Sequence, residues 1–151
     1  MNKMCKAFFL TFISIQFAVG RSPDGGTKTK IVNMQKINWS NVPVEQVNEK
    51  MKRQFIHGEK IMIAKMEFED GFTVPWHSHE NEQITEVIEG VLRFWFDDNE
   101  DEPIDLMAGD VMIIAGNRRH KALMIGKVIE IDSFAPPRQD WIDGSDSYLR
   151  K

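Results

Sequence analysis

The chain is short of cysteine and of long apolar runs, and each shortage excludes a class of protein. Its 151 residues include one cysteine, Cys5, and none after Gly20. The folded part therefore has neither disulfide bonds nor thiol chemistry. A net charge of −4 argues against non-specific binding to nucleic acid. The longest apolar run, residues 7–19, is too short to span a bilayer comfortably. The length suits one domain with a real core.

The first stretch of the chain differs from the rest. Lys3 and Lys6 precede the apolar run, and small residues at 18–20 stand where a signal peptidase would cleave. This pattern predicts a secretory signal peptide over residues 1–20, a linker over 21–33 and a folded domain over 34–151. It places the protein in the periplasm or outside the cell. Two alternatives stay open: an uncleaved anchor, or translation from Met34, which would leave the protein in the cytoplasm.

The remainder of the sequence is typical of an all-β protein. Apolar and polar residues alternate in short segments separated by glycine, which favours a sandwich or a small barrel. The predicted strands cover residues 51–56, 60–68, 111–115, a hairpin of 84–89 and 91–96 bent at Gly90, and two strands of 120–125 and 127–132 hinged at Gly126. We also expect a first strand within 31–39 and a short helix within 41–49.

Three histidines and a glutamine form a candidate metal site. If the strand before residue 80 is extended, His77 and His79 project from the same face. With Gln83 and His120 they would offer three neutral imidazoles and one amide oxygen. This set suits one divalent transition metal ion such as Zn, Ni, Fe, Co or Mn. Because no ligand is anionic, the ion would keep its full charge and act best as a Lewis acid.

Residues 71–90 and 109–120 resemble the two sequence motifs of the cupin superfamily. Gln83 stands where many cupins have glutamate, and Ala115 and Asn117 stand where proline and glycine are usual. The resemblance implies a double-stranded β-helix, the cupin jelly-roll barrel, with its metal near the mouth. It also implies a homodimer, since cupins often dimerise through edge strands.

A second resemblance concerns residues 132–138, with the sequence DSFAPPR. Together with the three histidines and the glutamine, this segment is similar to the pectin-degradation cupins. These convert 4,5-unsaturated uronate monosaccharides, released by polysaccharide lyases, to linear 4-deoxy-5-keto uronates. The resemblance implies an isomerase-type enzyme whose partner is a small anionic sugar. It assigns catalysis to Asp132 and Arg138, and substrate contact to Phe134 and Arg138.

The chemistry of that substrate agrees with those roles. A planar guanidinium suits bidentate capture of a carboxylate, and a proton must reach a carbon of the double bond, so an acid/base is needed. The alternatives are a non-catalytic module that binds a sugar or another small molecule, and a cupin dioxygenase. A plain ion pair between Asp132 and Arg138, and a core position for Phe134, also stay open.

Overall fold

The computed structural model describes residues 35–150. The predicted signal peptide and linker lie outside these residues, as do residues 31–34 of the predicted first strand. Eight strands dominate the described part: β1 (Glu45–Asn48), β2 (Met51–His57), β3 (Met62–Phe68), β4 (Thr73–His77), β5 (Glu82–Phe96), β6 (Ile104–Met107), β7 (Val111–Ile114) and β8 (His120–Ala135).

All of the strand pairs are antiparallel, and β5 and β8 pair along nearly their whole length. One half of this long pair is flanked by β3 and β7, and β2 and β1 continue the sheet beyond β3. The other half is flanked by β4 and β6. The two longest strands therefore take part in both halves of the sheet, which gives the predicted jelly-roll barrel.

The predicted hairpin at Gly90 is wrong, and so is the break at Gly126. Both glycines lie inside continuous strands, with φ angles of 85° and 76°. The register between β5 and β8 shifts on either side of Glu89, which marks an irregularity of the bulge type. At Gly90 a Cβ atom would lie 2.2 Å from the carbonyl oxygen of Lys127, so the partner strand itself requires glycine there. Both glycines thus bend strands that sequence reasoning had divided.

The predicted helix within 41–49 is also wrong. Residues 45–48 form β1, which pairs with β2, and a short 3₁₀ helix covers Trp39–Asn41. The described residues before Trp39 form no strand. Tertiary pairing decides the conformation here, because four residues between turns carry too little helical preference of their own.

The C-terminal segment carries the remaining helices: a short α-helix, α1 (Gln139–Asp143), and a 3₁₀ helix, Ser147–Leu149. Arg53, only 1% exposed, holds this segment to β2. Its Nη1 donates to Asp146 at 2.7 Å, and its guanidinium lies 4.3 Å from the ring centroid of Trp141. Among residues 35–150, no helix is long and apolar enough to cross a membrane.

The core is apolar toward one end of the barrel and polar toward the other. Methionine and phenylalanine side chains from β2, β3, β5 and β8 fill it, among them Met62, Phe68 and Met124. Alternate residues of β8 point inward, but the series that begins with Val128 continues with Glu130 and Asp132. Charged groups in a buried row are unusual unless they have a function or a partner.

Candidate metal centre

The three predicted histidine ligands meet at one end of the barrel. His77 ends β4, His79 follows it, and His120 begins β8, where it pairs with His77. One ring nitrogen of each histidine lies within 4.8 Å of the corresponding atoms of the other two. Residues more than forty positions apart in the sequence are thus brought together by the pairing of β4 with β8.

Backbone carbonyls fix the tautomer of all three rings. The Nδ1 atoms of His77, His79 and His120 lie 2.9, 3.0 and 2.7 Å from the carbonyl oxygens of Pro75, Asn81 and Arg118. A carbonyl oxygen only accepts, so each Nδ1 carries the proton and each Nε2 keeps its lone pair. Metal-binding histidines are oriented in this way in known sites.

The imidazoles are held neutral. Burial, together with the neighbouring His120, lowers the pKa of His77 to about 3. Burial and the charge of Arg138 lower the pKa of His79 to about 4. Burial also lowers the pKa of His120. At neutral pH all three side chains are in the form that binds a metal.

Gln83 supplies the strongest geometric argument for a cation. Its Nε2 donates to Thr85 at 2.8 Å and to Asp132 at 3.0 Å, which orients the amide. The amide oxygen then lies 3.1 Å from Nε2 of His79. Both of these atoms are acceptors, and two facing lone pairs repel each other unless a cation binds both. The residues present therefore fit a divalent metal ion.

Asp132 lies directly behind Gln83. It is 3% exposed, and Thr85 donates to its second oxygen at 2.6 Å. Burial raises the pKa of Asp132 to about 7, although the hydrogen bonds from Thr85 and Gln83 oppose the shift. The structure separates Asp132 from an ion pair with Arg138, because its oxygens accept from Gln83 and Thr85 instead.

Sequence reasoning missed Glu130, two residues before Asp132. Its side chain is 5% exposed, and its Oε2 atom has no hydrogen-bond partner. Burial raises its pKa, and the neighbouring Asp132 raises it further. The signal was available in the sequence: Val128, Glu130, Asp132 and Phe134 alternate along β8, so an acid at 130 shares the inward face.

Arg138 is buried beside a carboxylate that the sequence did not suggest. Its Nε and Nη2 donate to Asp140 at 2.9 and 2.7 Å, and Nη2 also donates to the hydroxyl of Tyr148 at 2.7 Å. Its Nη1 makes no hydrogen bond within residues 35–150. The ring of Tyr148, the only tyrosine in the sequence, stacks on His77 at a centroid distance of 5.1 Å.

Phe134 lies under the histidines. It is 2% exposed, and its ring meets the ring of His79 edge to face at 5.7 Å. On its other side it contacts Trp141 at 5.1 Å. Phe134 therefore belongs to the core and also packs against His79, one of the proposed metal ligands. Its proposed contact with substrate stays a prediction.

Two cavities adjoin at this site. An inner cavity of about 40 Å³ is lined by Gln83, Glu130, Asp132 and Phe134 among others. An open outer cavity of about 470 Å³ is lined by His79, Glu80 and Asp140 among others. His77, Arg138 and Tyr148 line both. Small-molecule sites commonly measure about 300–1,000 Å³, so only the outer cavity is large enough for a monosaccharide.

Comparison with known proteins identifies the family. A model described as the cupin domain matches residues 64–129, the range that contains all four proposed metal ligands. Residues 64–129 therefore form a cupin domain, and the described strands have the cupin fold. The proposed catalytic residues, Asp132 and Arg138, follow this range. No curated protein matches the chain.

Solved structures share the cupin fold with this chain. An RmlC-like cupin from Shewanella frigidimarina is 25% identical, with a TM-score of 0.65 over 72% of this chain and 96% of that one. KdgF from Halomonas is 24% identical, with a TM-score of 0.61 over 68% and 94%. The polyketide cyclase RemF from Streptomyces resistomycificus is 17% identical, with a TM-score of 0.59 over 69% and 80%. Enzymes are found among such neighbours, but one fold hosts many reactions.

Proposed function

We propose that this cupin is a metal-dependent enzyme that converts 4,5-unsaturated uronate monosaccharides to linear 4-deoxy-5-keto uronates. The observation that carries the proposal is one arrangement of groups. Three imidazole nitrogens and the Gln83 amide oxygen converge at the junction of the two cavities, with Asp132 hydrogen-bonded behind that amide. The resemblance of residues 132–138 to the pectin-degradation cupins, and the likeness to KdgF, support the choice of substrate.

The metal would be held by His77, His79, Gln83 and His120. When bound, it would supply a Lewis acid that polarises an oxygen of the sugar. No carboxylate belongs to this set, so the charge of the ion is not neutralised by its own ligands. That property suits polarisation better than tight capture of the ion.

Electrostatics make binding of an anionic sugar depend on the metal. The ionisable groups along the outer cavity are Arg138, paired with Asp140, and Glu80, beside histidines held neutral. Without a metal this wall carries no excess positive charge. A bound divalent ion would make the net charge of this wall positive. Nη1 of Arg138 then remains to donate to the sugar carboxylate. Tyr148 would help to orient that guanidinium.

The reaction needs one group that can hold and release a proton near neutral pH. The hemiacetal hydroxyl loses a proton as the bond from its carbon to the ring oxygen breaks, and the former double-bond carbon gains a proton. No oxidant or reductant is required, so the conversion is an isomerisation. Asp132, whose pKa burial raises to about 7, is the acid/base that we assign to this transfer. Because it lines the inner cavity and the sugar occupies the outer one, the proton would pass between them through a water molecule.

A spectrophotometric assay tests the proposal. The metal-loaded full chain is incubated with unsaturated uronates from several glycans, and loss of the double-bond absorbance is followed. We expect loss faster than the spontaneous rate, abolished by a chelator and by His120→Ala. The exposed His57, with His57→Ala, provides the control.

Other results would favour the other classes of cupin. If the metal-loaded protein binds a uronate in calorimetry but consumes none, the protein is a binding module. If turnover requires oxygen, it is a dioxygenase. If the metal-free protein binds the uronate as tightly as the metal-loaded protein, the electrostatic argument for the site is wrong.

We also propose that the partner of this cupin is a second copy of the chain. The outer faces of β5, β6 and β7 expose a group of apolar side chains, including Met107, Val111 and Ile113, which is 69% exposed. Such a group favours an interface between proteins. Light scattering should show a dimer that Ile113→Glu converts to a monomer.

Export of the protein has its own test. If residues 1–20 are a signal peptide that is removed, the N-terminal residue of the mature protein will show it.

A further inference from the structure

Within residues 35–150, Glu130 is the one carboxyl group with a fully buried oxygen that lacks a hydrogen-bond partner. It is 5% exposed, and Oε2 is fully enclosed without a hydrogen-bond partner. Buried polar atoms nearly always have a partner, which is frequently an ordered water molecule. An apolar residue would pack better at this position in a core of methionine and phenylalanine. The carboxyl group therefore needs a functional explanation.

The inner cavity offers the missing partner. Glu130 lines it together with Asp132, Gln83 and His77, and its volume is about 40 Å³. A water molecule needs roughly 10–15 Å³ of such space and two to four polar neighbours, so the cavity meets both conditions. A sugar ring does not fit there. The size of the cavity thus favours water and leaves the sugar to the outer cavity.

The strand geometry sets how Glu130 and Asp132 relate. They are two positions apart on β8 and share its inward face, so their Cβ atoms are roughly 6–7 Å apart. A single water molecule bridges such a gap well. Each oxygen of Asp132 accepts one hydrogen bond, from Thr85 or from Gln83, and retains capacity for another.

We propose that Glu130 is a positioning residue that holds a water molecule in the inner cavity and presents it to Asp132. The water adds a hydrogen bond that fixes the direction of the Asp132 carboxyl group. The water molecule would also lie between the two buried acids, Glu130 and Asp132, and His77, which lines both cavities. The kinetic consequence rests on the proposed function, whereas the position of the water does not.

Two variants separate this role from a structural one. Glu130→Met has the shape of the surrounding core and cannot hold water, whereas Glu130→Gln keeps a polar group of the same size. We expect kcat to fall at least about fivefold in the methionine variant with KM within about twofold of wild type. The glutamine variant should restore most of the loss. The thermal midpoint of the methionine variant should equal or exceed that of wild type, because an apolar side chain replaces both the buried carboxyl group and its water molecule.

Atomic-resolution crystal structures of the metal-loaded full chain give a readout that does not depend on turnover. Wild type and Glu130→Gln should show a water molecule within hydrogen-bond distance of Asp132 and residue 130, and Glu130→Met should not. A dry cavity in wild type, the same water in Glu130→Met, or an unchanged kcat in that variant would each overturn the proposal. If wild type converts no uronate, the proposed function fails, and the density alone decides whether Glu130 holds the water.

Discussion

Replacing Asp132 with asparagine should change how the stability of the metal-free protein depends on pH. In the folded state the pKa of Asp132 is raised from 3.8 to about 7, chiefly by burial. The folded state therefore binds more protons than the unfolded state between these values. The contribution of this group is fully present below about pH 4 and is lost as the pH rises to about 7.

The size of the effect follows from the shift. Each pKa unit corresponds to about 1.4 kcal/mol, so a shift of roughly three units corresponds to about 4 kcal/mol. Asparagine cannot ionise and carries no such dependence. The free energy of unfolding of Asp132→Asn minus that of wild type should thus be larger above pH 7 than near pH 4 by about that amount, which means that the variant becomes the relatively more stable protein as the pH rises. Glu130 ionises in both proteins. In Asp132→Asn it no longer faces a second negative charge, so its ionisation costs less stability at high pH. Its contribution therefore changes the difference between the two proteins in the same direction.

Urea unfolding in the presence of a chelator, followed by tryptophan fluorescence across this pH range, measures the difference. Asp105→Asn is the control, because Arg93 lowers the pKa of that exposed carboxyl and the effect should be small and opposite. A difference between wild type and Asp132→Asn that does not vary with pH would refute our account of the buried carboxyl group.

Three further predictions concern the metal, the bend in β5 and the C-terminal segment. His120→Ala should weaken metal binding by at least about 100-fold, measured by titration with a metal, while the exposed His57→Ala should not change it. Gly90→Ala should lower the free energy of unfolding by about 2–5 kcal/mol, since it adds a clash to the strain of a positive φ. Gly126→Ala, with open space around it, should lose only about 1–2 kcal/mol, and equal losses would contradict the clash. Arg53→Met should cost about 3–5 kcal/mol in urea unfolding because it removes the buried guanidinium from Asp146 and leaves this buried carboxylate only the partly exposed Arg150, and a neutral result would show that the ion pair is dispensable.

Local patterns were sufficient where a strand is short and straight. The alternation of residues 60–68 predicted β3, and the apolar run at 111–115 predicted β7. They failed at Gly90 and Gly126, because a glycine at a bend within a strand and a glycine in a hairpin turn are identical in sequence. Only the partner strand, which approaches Gly90 too closely for a Cβ atom, distinguishes the two.

The same distinction between local and tertiary information holds for the candidate site. Residue types and their spacing predicted His77, His79, Gln83 and His120 as ligands, because metal ligation depends on side-chain chemistry that residue types reveal. The partner of Arg138 was not predictable, since distance along the chain does not decide whether it pairs with Asp132, six residues before it, or with Asp140, two residues after it. The structure gives Arg138 to Asp140 and surrounds Asp132 with hydrogen-bond donors from β5.

The sequence by itself determined the chemical types of this protein: an all-β cupin, three imidazoles with an amide, and two acids on one face of a strand. These follow from residue identity and from the two-residue period of strands, which are local properties. Only the tertiary structure decided which lone pairs face each other and which acids lose contact with water. It also decided that a water-sized inner cavity adjoins a larger, open outer cavity. Those properties depend on burial and on distances across the barrel, which are set by strands far apart in the chain.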